Sequence, residues 1–217
     1  ALLCIDWDED CFYDSVNRAH QVLMEELGNR QKHTDITVHV VGHTHIDVAW
    51  LWRLKHTREK VQRSFATVLR LMEQYDEFVF LQSQPQLYQY VKEDCPELYE
   101  GIRRRVAEGR WEPDGGMWVE ADCNISSGES LVRQFLHGTR FIEKEFGKKC
   151  EYLWLPDVFG YSWALPQILK LCEIDTFMTT KISWNQYNAM PDDLFWWRGI
   201  DGSQVLTYFV NTPGEGQ

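Results

Sequence analysis

In Gly42-His43-Thr44-His45-Ile46-Asp47, two imidazoles and a carboxylate fall at alternate positions, just past a β-branched run. In an extended backbone, side chains two residues apart point the same way, so His43, His45 and Asp47 would converge. Imidazole nitrogen and carboxylate oxygen together suit a divalent metal such as zinc. The spacing does not fix which two of the three bind, and it supplies too few ligands for a complete site. The plainer alternative is a polar turn in which Asp47 caps a helix. A second carboxylate, Asp157, follows the apolar run Tyr152 to Leu155 and precedes a glycine-containing loop, Val158-Phe159-Gly160-Tyr161-Ser162. A carboxylate placed there can ligate a metal, act as a base or act as a nucleophile; alternatively it caps the helix that starts near Ser162. Lys181, past a later apolar run, is a cation near the same expected opening, either touching a substrate or an acidic side chain there or simply a surface group.

Aromatic and acidic residues cluster near these positions. Trp50 and Trp52 follow Asp47 closely, and Trp111 to Asp122 holds two tryptophans and four carboxylates around Gly115-Gly116. Indole faces and carboxylates suit a sugar, whose ring stacks while its hydroxyls hydrogen-bond. A core tryptophan pair beside an exposed acidic turn accounts for the same pattern. There is no glycine-rich nucleotide fingerprint, no phosphate-binding loop and no serine elbow.

These residues need a frame that brings strand ends together. Apolar spacing predicts helices over about residues 10–30, 57–75, 98–107, 128–146 and 165–171, with Tyr88 to Val91 in another. Short apolar runs predict strands at Ile36 to Val41, Phe78 to Leu81, within Trp111 to Val119, and at Tyr152 to Leu155, Thr176 to Thr180, Leu194 to Arg198 and Val205 to Val210. Alternating strands and helices favour an α/β fold: parallel strands under covering helices, with the site beyond the strands' carboxyl ends. The polar stretch Asn29 to Asp35 reads as a boundary, and Asn211 to Gln217 as a loop.

The 217 residues include 33 Asp and Glu against 22 Lys and Arg, a net charge of −11. So acidic a chain is a poor partner for nucleic acid, which needs a basic surface. No apolar run of the roughly 18 residues that a membrane helix requires is present, and the start is acidic, unlike a signal peptide. The six cysteines are scattered without a CxxC pair; they read as reduced thiols of a cytoplasmic protein.

Three segments in order, HTHIDVAWLWR (43–53), GRWEPDGGMWVEAD (109–122) and LWLPDVFGYS (153–162), resemble the N-terminal catalytic region of glycoside hydrolase family 38, the α-mannosidases. The wording is nearest to the cytosolic and bacterial branch, and the resemblance covers about residues 36–217. It implies part of a seven-stranded β/α barrel, with residues 1–35 as a helical segment preceding it. It also implies a Zn2+ site at the barrel's top, held by His45, Asp47 and Asp157. The same Asp157 would be the nucleophile of a retaining reaction, Trp50 would stack on the mannose, and Lys181 would position the nucleophile or the sugar. The substrates implied are mannose-containing oligosaccharides, and homo-oligomers occur in the family. The family's fourth ligand, a histidine, and its acid/base aspartate lie further along than Gln217, so the resemblance implies a catalytic-domain fragment, inactive in isolation. Two other readings are a different metal-dependent hydrolase, such as an amidohydrolase or polysaccharide deacetylase, and an inactive sugar-binding fragment.

Overall fold

The structure is a computed structural model that describes residues 5–7, 10–30, 37–188 and 190–210. The chain divides into two compact units, Ala1–His39 and Val40–Gln217. The expected boundary at residue 35 and the expected loop at Asn211 to Gln217 lie outside the described residues. Among its described residues, the first unit holds one helix, α1 (Phe12–Asn29), which buries Ser15 and Ala19. The Ser15 hydroxyl accepts the Asp6 backbone N–H at 2.8 Å and donates to Phe12 O at 2.7 Å.

The second unit contains β1 (Gly42–His43), α2 (Leu54–Gln74), β2 (Phe80–Gln82), α3 (Pro85–Asp94), α4 (Pro96–Ala107), β3 (Trp111–Pro113), α5 (Gly128–Phe146), β4 (Tyr152–Leu155), α6 (Leu165–Leu171), β5 (Thr176–Thr179), β6 (Leu194–Arg198) and β7 (Gln204–Phe209). The strands form a three-stranded sheet, β1-β2-β3, and a four-stranded sheet, β4-β5-β7-β6. A parallel bridge between Gly115 and Leu153 brings the two sheets edge to edge. Among the described residues, all strand pairings are parallel except the β6–β7 hairpin. Helical connections between parallel strands put the strand ends on one side, so the loops after β1, β2, β3, β4 and β5 share one rim of a partial α/β barrel.

Each helix buries a stripe spaced at three and four residues. On α2 it is Thr57, Val61, Phe65, Val68 and Met72, and on α5 it is Leu131, Phe135, Gly138 and Ile142. The first stripe packs with α3, α4 and the first sheet around Trp111, whose indole N–H donates to the Tyr88 hydroxyl at 2.8 Å. The second packs with α6 and the outer face of β4 and β5, where Leu153, Leu155 and Phe177 are buried. Alternation along β4 puts Tyr152 and Trp154 on the opposite face.

One expected strand is corrected. Ile36 to Val41 was read as a buried strand; Ile36 lies outside the described residues, and residues 37–41 form no strand. Val38 and Val40 are 76% and 83% exposed. The ladder begins only at Gly42, whose N–H donates to Val79 O at 2.9 Å. Its neighbour β2 starts at Phe80, with Val79 as the last residue before it that the ladder reaches. A β-branched run does not make a strand without a partner.

The join between the sheets rests on Asp114, 5% exposed. Its carboxylate accepts the backbone N–H of Gly115 at 2.5 Å and of Glu151 at 2.8 Å, tying the end of β3 to the start of β4. Burial raises its pKa from the ordinary 3.8 to about 6, against the downward pull of those N–H donors. A carboxyl with a raised folded pKa stabilises the fold below its unfolded value and loses that contribution as pH rises through the folded value. Stability relative to Asp114→Asn is therefore expected to fall by about 2 kcal/mol between pH 4 and pH 6. Denaturant melts of both proteins across that window check it; a constant difference would show that Asp114 does not titrate there.

Candidate active site

The strand ends at His43, and His43, His45 and Asp47 do not act as a row. His43 turns back into the sheet. Its Nδ1 lies 3.1 Å from Leu81 O, and its Nε2 accepts the Trp154 indole N–H at 3.2 Å. Both ring nitrogens are engaged, which fixes the neutral tautomer with the proton on Nδ1. Burial holds His43 below the usual histidine pKa.

His45 and Asp47 point instead to the rim, where the loop after β4 brings Asp157. His45 Nε2 lies 3.0 Å from Asp47 Oδ1 and 3.4 Å from Asp157 Oδ2. One nitrogen or oxygen from each residue lies within 4.8 Å of the others. Donors bound to one zinc at ~2.1 Å with tetrahedral angles stand roughly 3.4 Å apart, so one imidazole and two carboxylates at this spacing are close enough to share a divalent cation. Burial lowers the His45 pKa, but hydrogen bonding and charge from Glu120 and Asp47 outweigh it and push it up to about 9. A cation taking Nε2 would displace that proton.

Lys181, opening the 3-10 turn Lys181–Ser183 after β5, places Nζ 3.0 Å from Asp157 Oδ1. The ammonium also lies 4.0 Å above the Trp184 ring. Asp157 is thereby held from two sides: one oxygen toward His45, the other toward Lys181. Trp50 is 68% exposed. It rests edge-on against Trp52 with ring centroids 5.7 Å apart. Trp52 is the anchored member of the pair, its indole N–H donating to the Thr57 hydroxyl at 3.0 Å. That hydroxyl donates in turn to Asp47 O at 3.3 Å.

Of the two readings of Trp111 to Asp122, the core one fits Trp111, which is buried. Trp111 is core, Asp114 joins the sheets, and Glu112 accepts the Tyr152 hydroxyl at 2.7 Å. Trp118 donates to Gln86 Oε1 at 3.1 Å, and Asp122 accepts the Asn124 N–H at 2.9 Å. Of these six described residues, Glu120 reaches the cluster, facing His45 Nδ1 at 3.0 Å. Sequence reasoning gave Glu120 no distinction from its acidic neighbours and passed over Ser83 and Gln84, which hold it. A polar Gln-Ser-Gln after an apolar strand was the available signal.

Residues 35–216 match the glycosyl hydrolases family 38 N-terminal domain. The chain is 51% identical over 185 residues to alpha-mannosidase G of Dictyostelium discoideum, covering 85% of this chain and 17% of that protein. It is 49% identical over 188 residues to alpha-mannosidase 2C1 of Homo sapiens, covering 87% and 18% respectively. The crystal structure of an alpha-mannosidase from Enterococcus faecalis superposes with a TM-score of 0.67 at 25% identity, over 78% of this chain and 19% of that one. The chain thus spans under a fifth of the length of these relatives. With the family domain matched over most of the chain and two relatives near half identical, the chain belongs to glycosyl hydrolase family 38, the family of the α-mannosidases.

Proposed function

We propose that the chain carries the metal-and-nucleophile part of a zinc-dependent, retaining α-mannosidase site that cleaves terminal α-D-mannosyl residues from oligosaccharides. The observation that carries this reading is the convergence of His45, Asp47 and Asp157, with Lys181 on the far oxygen of Asp157. His45, Asp47 and Asp157 would hold the cation, which when bound supplies Lewis-acid charge for the sugar's hydroxyls. Asp157 would attack the anomeric carbon as the glycosidic C–O bond breaks, and water would later release the mannosyl group with net retention. Lys181 fixes the carboxylate for that attack, and the open face of Trp50 offers the ring a stacking surface. The proton for the leaving oxygen and a further metal ligand would come from residues outside 36–217, so the chain alone would be inactive. Its 17–18% span of the relatives supports that part of the proposal.

A cytoplasmic setting completes the reading. Cys11, Cys95, Cys123, Cys150 and Cys172 are free thiols, which suits a reducing compartment. Among the described residues, no helix is long and apolar enough to cross a membrane.

The test is metal content and product stereochemistry in the complete protein. About one zinc per chain is expected, lost in Asp47→Ala together with turnover, and the first product seen by NMR should be α-mannose. Full turnover after the metal is stripped would remove the metal from the reaction. An inverted first product would remove Asp157 as nucleophile and favour a water-attacking hydrolase.

A further inference from the structure

We infer that Glu120 is a positioning residue for the metal site: it holds His45 by Nδ1 so that Nε2 faces Asp47 and Asp157. This rests on the metal reading above and adds a residue that contacts neither cation nor sugar. The Glu120 side chain is 4% exposed and its Oε2 stands 3.0 Å from His45 Nδ1. Neither of these buried atoms has a hydrogen-bond partner of standard geometry; what joins them is the ion-pair contact. Oε1 accepts the Ser83 hydroxyl at 2.7 Å. Swinging the carboxylate away would abandon the Ser83 hydroxyl and leave buried His45 Nδ1 without its facing carboxylate.

The backbone around it is held as firmly. The Glu120 N–H donates to Gln84 Oε1 at 3.2 Å, and Gln84 Nε2 donates to Ile46 O at 2.9 Å. One buried amide thus ties the loop carrying Glu120 to the residue next to His45. Gln84 does this from a left-handed conformation, φ 66°, uncommon for a residue other than glycine. Such strain persists where the surroundings enforce it, commonly at functional sites.

The ring geometry separates this role from direct ligation. Nδ1 and Nε2 face opposite ways, so a cation on Nε2 lies across the ring from Glu120. His43, His45 and Glu120 also bring ligand-type atoms close together. Yet His43 is engaged at both nitrogens, by Leu81 and Trp154, so that trio lacks a free second imidazole. A carboxylate accepting the far N–H of a ligating histidine fixes the tautomer and the ring's aim.

Two variants divide orientation from charge. Glu120→Gln keeps the length and an oxygen acceptor: its carbonyl can face Nδ1 while its amide donates to Ser83. Glu120→Asp keeps the charge but is one methylene too short to reach both. In the complete protein, cobalt(II) affinity measured against a chromophoric chelator is expected to fall ~10–100-fold in E120D and to stay within roughly threefold of wild type in E120Q. The cobalt ligand-field bands should move in E120D and not in E120Q, and circular dichroism should confirm that both are folded. Wild-type affinity in E120D overturns the inference. So does an E120Q that binds as weakly as E120D or more weakly, which would assign the effect to charge. A wild-type protein that binds no cobalt would instead sink the underlying metal reading, so the two failures are distinct.

Discussion

Asp157→Asn in the complete protein is expected to lower mannoside turnover by roughly 10⁴-fold or more while leaving the fold intact. The side chain follows β4 at the rim, with Oδ1 3.0 Å from Lys181 Nζ and Oδ2 3.4 Å from His45 Nε2. An asparagine fills the same volume, but its amide is a poor nucleophile and carries no charge for Lys181. Little stability is at risk, because Asp157 is a third exposed and its partners lie at the surface of the opening. Zinc content and melting temperature measured alongside turnover separate the roles. A folded, inactive variant that retains part of its metal supports attack by this carboxylate. Turnover above about a hundredth of wild type would remove Asp157 as the nucleophile, since loss of an attacking group is not so easily compensated.

The part of this site that was legible in the sequence is the part that sits directly after strands. Tyr152 to Leu155 and Thr176 to Thr179 form strands where apolar runs place them. In a parallel arrangement their following residues, Asp157 and Lys181, have to face one opening. His45 and Asp47 were legible by residue type. The orientation of their loop was not, because alternation predicts direction only while the backbone stays extended, and here the strand ends at His43. That early end freed His43 to bond Leu81 and Trp154. Glu120 was hidden for a different reason. Its importance depends on contacts with residues 37 and 75 positions away, Ser83 and His45, and nothing local marks it out from Glu112, Asp114 or Asp122. The Ile36 to Val41 run failed the opposite way: its local signal was strong, and the described part lacks a partner strand.

Gly138→Ala is expected to destabilise the chain by ~3 kcal/mol or more, against a helix propensity that by itself favours alanine by ~1 kcal/mol. Gly138 lies within α5, where an added Cβ would come within 2.3 Å of Gly116 O, 2.7 Å of Met117 C and 2.8 Å of Trp118 N. All three are backbone atoms, so no side chain can swing aside, and the helix or the turn has to move. The turn is pinned to that helix: the Trp118 N–H donates to Gln134 O and the Val119 N–H to Gln134 Oε1, both at 2.9 Å. Displacing α5 therefore either breaks these bonds or drags the segment that carries Glu120. The melting temperature should fall by roughly 10 °C, and metal affinity should fall with it if the turn shifts. Gly128→Ala is the matched control at the start of the same helix, where a Cβ meets nothing within 4 Å; its stability should change by under about 1 kcal/mol. An unchanged melting temperature in Gly138→Ala would mean that α5 slides freely over residues 116–118. The close approach at Gly138 would then have no part in setting the position of the loop that carries Glu120.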